Sequence, residues 1–251
     1  MSLFCIESLF PTLVKQAPFI FEVTIESMKF YEQFFNYPYA FGKYDQIFAH
    51  EYKWGGMENA GAVVYKDTCL FRDKVSEQRR FYLANTISHE LSHHWFGNLV
   101  TMKWWDDLWL NETFATFISY LCLEKVKGSI KTLSYESAWP AFFQAKGRGY
   151  LHDQMVTTHP IRGPIANTNV ADSIFDGITY SKGAAAMKQF CYMMGEQNFG
   201  KALESYFRKY EWSNATIDDF LAEMHKMLKL EGFTLEEWKV MWLEKASLNI
   251  L

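Results

Sequence analysis

An α+β fold is what this sequence predicts: a small mixed β-sheet and two long helices in the first half, then a mainly helical second half. Three observations predict it. Short runs rich in β-branched and aromatic residues lie between Tyr44 and Tyr65, as strands require. Longer segments on both sides of them repeat apolar residues at helical spacing. Two late helices open with capping boxes, Thr216 with Asp219 and Thr234 with Glu237. At 251 residues the chain can bury a large core. The pattern describes one domain, with an α/β lobe over about residues 1–130 and a helical lobe over about 131–251.

Taken in order, Phe19 to Phe35 reads as a helix with Phe21, Ile25, Met28 and Phe35 at helical spacing, stopped by Asn36-Tyr37-Pro38. Tyr44–Phe48 and Ala62–Tyr65 read as strands. Between them, Gly55-Gly56-Met57-Glu58-Asn59-Ala60-Gly61 concentrates three glycines, which allow a close backbone approach. A bare surface loop accounts for those glycines equally well. Ser76 to Phe96 reads as one helix whose apolar stripe is Ala84, Ile87, Leu91 and Trp95, ended by Gly97-Asn98. Leu99 to Trp105 is a candidate strand, with Asp106-Asp107 as the N-cap of a helix running to about Lys127. That helix turns Leu110, Phe114, Phe117 and Leu121 inward and stops at Gly128. Ile165 to Gly177 reads as loop, and Tyr180-Ser181-Lys182-Gly183-Ala184 opens another helix. The last two helices carry core stripes, Phe220, Leu221, Met224 and Leu228 in one and Leu235, Trp238, Met241 and Trp242 in the other.

Composition excludes several functions. The net charge of −4 argues against nucleic acid, because phosphate binding needs a basic face. No apolar run is long enough to cross a bilayer. Met1 to Val14 lacks the basic leader and cleavage site of a signal peptide. Cys5, Cys69, Cys122 and Cys191 are scattered without close spacings, which fits free thiols in a reducing, cytoplasmic setting.

The chemistry concentrates at His89-Glu90-Leu91-Ser92-His93. Residues four apart on an α-helix share a face, so His89 and His93 can offer two imidazole nitrogens to one metal ion. Glu90, one step round, points into the same space as a base for a metal-activated water; this is the zincin arrangement. All three fall off the apolar stripe, where residues lining a cleft belong. His94 lies outside the ligand face and reads as a supporting or surface residue. Separated from His93 by eighteen residues, Glu112 offers a hard oxygen that would complete a His2Glu site for one Zn2+ and leave a position open. A carboxylate favoured by the helix dipole near a helix start is the plainer alternative.

Together these residues resemble the zinc aminopeptidases of the alanyl and puromycin-sensitive aminopeptidase family. Gly55-Gly56-Met57-Glu58-Asn59 is similar to that family's exopeptidase motif, usually Gly-Ala-Met-Glu-Asn, so Gly56 departs from it mildly. His89 to Trp95 with Glu112 resembles its zinc motif, and Tyr180 within Ile178-Thr-Tyr-Ser-Lys-Gly matches its catalytic tyrosine. Trp104 to Glu112 and Thr158-His-Pro-Ile161 also look like family segments.

The resemblance implies a thermolysin-like two-lobed catalytic domain that removes N-terminal residues from peptides with a free N-terminus. Glu90 would serve as base, Tyr180 as donor to the oxyanion, and Glu58 as the grip on the α-ammonium, with Gly55, Gly56, Met57 and Asn59 along the substrate. The family usually flanks this domain with a β-rich domain, which contributes a glutamine at the substrate amine, and a large helical domain. These 251 residues contain no counterpart of either. A fragment, a reduced protein completed by other chains, and a weakly active or non-catalytic subunit of an assembly all fit that difference. Hydrolysis of an epoxide, known in a side branch of the family, has no specific support in the residues.

Overall fold

In the computed structural model, residues 1–228, 232 and 234–247 are described. They divide into two compact units, Met1–Leu99 with Ile118–Ala138, and Val100–Phe117 with Trp139–Leu251. Residues 100–117, which the sequence pattern groups with the first lobe, therefore belong with the second unit. The long helix that carries Glu112 contributes to both.

The first unit opens with β1 (Leu3–Cys5) and α1 (Phe10–Phe35). Three strands follow, β2 (Asp45–Ala49), β3 (Gly56–Met57) and β4 (Ala62–Lys66). The sheet order is β1-β2-β4-β3, with β1, β2 and β4 parallel and β3 antiparallel to β4. It is the small mixed sheet expected. Alternation decides its faces: Gln46, Phe48, Val63 and Tyr65 are buried, and the rings of Phe48 and Tyr65 stack 5.3 Å apart.

Helix α1 begins nine residues before the expected start and runs through Pro18. An internal proline costs a helix about 3 kcal/mol. Burial of Leu13, Phe19, Ile20 and Val23 on both sides of it offsets that cost, at about 1.5–3 kcal/mol for each large side chain. The buried face matches the expected one at Phe35 but is otherwise rotated from it, because Ile25 is exposed, Phe21 and Met28 are half-buried, and Ile20, Val23 and Tyr31 are fully buried. Asn36 ends the helix with φ 45°, as its position before Tyr37-Pro38 predicts.

Helix α2 (Glu77–Ser92) starts at Ser76, whose side chain accepts the Arg79 N–H, and packs on α1. Its stripe of Ala84, Ile87 and Leu91 is fully buried, and Trp95 just beyond it donates from its indole to the Tyr37 carbonyl at 3.0 Å. The helix ends at Ser92, four residues before the expected end, so His93 is its C-cap and lies in the following turn.

The second unit contains β5 (Val100–Met102), paired in parallel with β6 (Ser213–Ala215). A short 3-10 turn, Trp105–Asp107, leads directly into α3 (Leu108–Val126). Asp107 does not cap α3 as expected. Its carboxylate accepts instead from the backbone N–H of Ile217 at 2.9 Å and from Arg162 at 2.8 Å, and so it anchors the start of a helix 110 residues away. The remaining helices are α4 (Trp139–Asp153), α5 (Thr168–Ser173), α6 (Gly183–Met194), α7 (Glu196–Tyr210), α8 (Ile217–His225) and α9 (Leu235–Trp242). The stretch read as loop thus holds a short helix, α5, capped by the Asn167 side chain. Both capping boxes form. The α8 stripe is buried throughout, whereas in α9 Trp238 is buried and Met241 is exposed.

Candidate active site

In the first unit, the last turn of α2 and its C-cap hold the imidazoles of His89 and His93 face to edge, with their Nε2 atoms 3.1 Å apart. His93 is buried, and its Nδ1 lies 3.2 Å from the Phe96 carbonyl. A carbonyl only accepts, so that contact puts the His93 proton on Nδ1 and leaves the Nε2 lone pair facing His89. A tetrahedral zinc with Zn–N bonds of about 2.0–2.1 Å sets its nitrogen ligands about 3.3–3.4 Å apart. The two nitrogens therefore fit adjacent corners of such a site, and the backbone carbonyl behind His93 supplies the usual orienting partner.

Glu90 is buried beside them. The backbone of β3 lies directly against it, and a Cβ at Gly56 would collide with the Glu90 carboxylate. Glycine at 56, where the resembled motif usually has alanine, thus has a local reason. Glu58 approaches from the same side, its carboxylate 3.9 Å from His93 Nδ1. Ligand atoms of Glu58, Glu90 and His93 lie within 4.8 Å of one another. Burial raises the pKa of the nearby Tyr52, and the negative charges of Glu90 and Glu58 raise it further.

The segment carrying Glu58 is tied to the end of α2. Asn98 donates to the Glu58 carbonyl at 2.7 Å, and the Gly61 N–H donates to His94 Nε2 at 3.1 Å. Gly55 accepts from the Lys66 N–H, Met57 sits in β3, and the Asn59 carbonyl accepts from the Ala62 N–H at 2.8 Å. His94 is no surface residue. It is buried among Tyr39, Phe41 and Tyr44 with its Nδ1 3.2 Å from the Glu90 carbonyl, and burial lowers its pKa to about 4. A neutral ring donating through Nδ1 and accepting through Nε2 joins the helix to the glycine-rich segment. The adjacent His-His pair in the sequence was the available signal.

In the second unit, Glu112 is buried in the second turn of α3, between Asn111 and Thr113, which are also buried. The helix is not one-sided there: every residue from Trp109 to Ala115 is buried. Three consecutive buried polar residues are costly unless each is partnered.

Tyr180 occupies a π-helical turn, Ile178–Lys182, ahead of α6. Single π turns are rare and frequent at functional sites. Asp176 anchors the front of the turn, its carboxylate accepting from the N–H groups of Ile178 at 2.8 Å and Thr179 at 3.2 Å. His159 Nε2 stands 3.2 Å from the same carboxylate. The back of the turn is held by Lys182, which pairs at 2.9 Å with Asp153, a buried carboxylate on α4. Burial opposes ionisation of Asp176, but the bonds from His159, Thr179 and Ile178 prevail and keep its pKa below the ordinary value. The bond to Asp176 raises that of His159 in turn, against the effect of burial. Asp176 directly precedes a helix-opening segment, which is the one sequence signal for its role. His159 falls in a stretch matched to the resembled family, and nothing local to it marks the pairing.

Among the described residues no helix is long and apolar enough to cross a membrane. The Peptidase family M1 domain matches residues 19–242. Aminopeptidase N of Streptomyces lividans is 40% identical over 252 aligned residues, covering 100% of this chain and 28% of that protein. Leucyl aminopeptidase of Saccharolobus solfataricus is 37% identical over 83% of this chain and 26% of its own length. Aminopeptidase M1-D of Oryza sativa subsp. japonica is 34% identical, with 94% of this chain and 26% of its own length aligned. The chain spans about a quarter of the length of these curated relatives.

Proposed function

The chain belongs to peptidase family M1, and from that premise we propose that it is the catalytic region of a zinc aminopeptidase acting on peptides with a free N-terminus. His89, His93 and Glu112 hold one Zn2+ in this reading. The observation that carries it is the pair of imidazole nitrogens 3.1 Å apart, with a buried carboxylate, Glu90, on the residue after His89. The donor set supports zinc: two nitrogens and one hard oxygen are the ligands of open, catalytic sites.

Zinc bound there supplies Lewis-acid polarisation of the scissile carbonyl and lowers the pKa of a water from about 15.7 towards 7. Glu90 takes the proton of the attacking water and delivers it to the leaving amine. Its burial against the β3 backbone limits where the carboxylate can swing, which favours that short transfer. Tyr180 donates a hydrogen bond to the developing oxyanion. Glu58 holds the α-ammonium by charge-assisted hydrogen bonds, and Gly55, Gly56, Met57 and Asn59 lie along the substrate. Anchoring that amine at a set distance from the reacting centre restricts cleavage to the first residue.

Zinc content and release of single residues from aminoacyl-coumarin substrates, measured on the purified protein and on Glu90→Gln, test this reading. The expected result is one zinc per chain in both, with turnover about 10²–10⁴-fold lower in the variant. A protein that binds no zinc, or a variant as active as the parent, overturns it.

A further inference from the structure

Thr113 stands next to Glu112, fully buried in the second turn of α3. A helical threonine ordinarily returns its hydroxyl proton to the carbonyl one turn back. Here the hydroxyl reaches out of its helix and donates to the Thr179 carbonyl at 2.7 Å, 66 residues further along the chain. Thr179 is fully buried and directly precedes Tyr180 in the π turn. On the other side of that turn, Gly183 presses its backbone onto the same hydroxyl so closely that a Cβ there would collide with it. The absence of a side chain at 183 is what lets α3 and the turn approach to hydrogen-bonding distance.

We propose that Thr113 is a positioning residue for Tyr180, and that it fixes the tyrosine's turn against the helix that carries Glu112. The inference rests on the aminopeptidase reading and names a part of that site which the motifs do not contain. Two further anchors of the turn, Asp176 and Lys182, act at its ends. Thr113 grips its middle from another helix, at the peptide joining residues 179 and 180, whose N–H donates within the turn to the Asp176 carbonyl at 3.0 Å. A rigid tyrosine matters because a donor helps only when it is already aimed at the place where charge develops. A shift of about 1 Å in such a group can cost on the order of a hundredfold in rate.

The test compares Thr113→Val, which keeps the shape and removes the hydroxyl, with Thr113→Ser, which keeps the hydroxyl. In the zinc-loaded protein, Thr113→Val should lower kcat about ten- to a hundredfold, with KM and zinc content unchanged. Thr113→Ser should stay within about threefold of the parent. Affinity for a phosphinic dipeptide analogue, a tetrahedral mimic, should fall in parallel with kcat for Thr113→Val. In a Tyr180→Phe background, Thr113→Val should cause no further loss, because the group it positions is gone. A readout without metal completes the set: in zinc-free protein, amide exchange over residues 178–184 should quicken in Thr113→Val and not in Thr113→Ser. Thr113→Ala carries the same expectations if the valine variant does not fold.

Unchanged kcat in Thr113→Val, loss that multiplies with Tyr180→Phe, or zinc lost in step with activity overturns the proposal while Glu90→Gln still abolishes turnover. Failure of the Glu90→Gln test itself removes the aminopeptidase reading, and this inference with it.

Discussion

The end of α2 and the turn around Tyr180 hold their chemical groups by opposite means. At the end of α2, His93 is oriented by neighbours within four positions, His89 and the carbonyl of Phe96. Around Tyr180, Asp176 acts locally, but Asp153 and Thr113 come from 29 and 66 residues away. A helix turn places side chains four apart on one face whatever surrounds it. A π turn has no such default and persists where its surroundings hold it. The first region is therefore specified mostly by its own sequence, and the second by packing.

That contrast can be broken or sharpened by substitution, beginning with the largest effect. His93→Ala should leave little bound zinc and cut turnover by on the order of a thousandfold or more. Metal analysis and steady-state kinetics on the same preparation check it, and full zinc occupancy would remove His93 from the ligand set. Tyr180→Phe should keep its zinc and lose about 10²–10³-fold in kcat, as expected for deletion of one oxyanion donor. Loss of zinc in that variant would mean the turn has a structural rather than a chemical role.

Glu58→Ala should raise KM for substrates with a free α-amine on the order of tenfold or more while zinc content stays constant. N-acylated analogues, which lack the ammonium, should bind the parent and the variant alike. Equal loss of zinc and substrate binding would cancel the assigned role.

The smallest effect concerns pH. The pKa of His159 is raised in the folded protein, so its contribution is fully present below about pH 6.5 and fades as pH rises through the folded value. The pKa of Asp176 is lowered, so its contribution is present above about pH 3.9 and fades below. The pair should stabilise by about 1 kcal/mol between those limits. Urea unfolding of the parent and of Asp176→Asn across pH 4–8 should show the widest gap in midpoint near pH 5–6, narrowing towards pH 8. A gap independent of pH would mean that only the backbone bonds to Ile178 and Thr179 matter.

Much of the first unit was legible from residue order. The strands at 45–49 and 62–66, the α2 stripe and the helix-stopping Asn36 follow from alternation, periodicity and turn chemistry. The misjudged points share a cause. The early start of α1 through Pro18, the exposed Met241 and the redirected Asp107 each depend on a partner remote in sequence or on the lack of one. Of the two readings open for His94, supporting or surface, the structure favours the first, because its cage of Tyr39, Phe41 and Tyr44 comes together when residues 39–44 pack beneath α2.

The sequence by itself determined the family, the strand and helix types, and the candidate ligands His89, His93 and Glu112. Local geometry and short-range spacing carry that information, and a chain expresses it before it folds. Only the tertiary structure decided that Gly56 makes room for the Glu90 carboxylate, that His94 joins α2 to Gly61, and that Thr113 reaches the turn before Tyr180. Those are contacts between buried groups whose separation along the chain says nothing about their distance in space. Each is enforced because an unpartnered polar atom in a close-packed interior costs more than the contact that satisfies it.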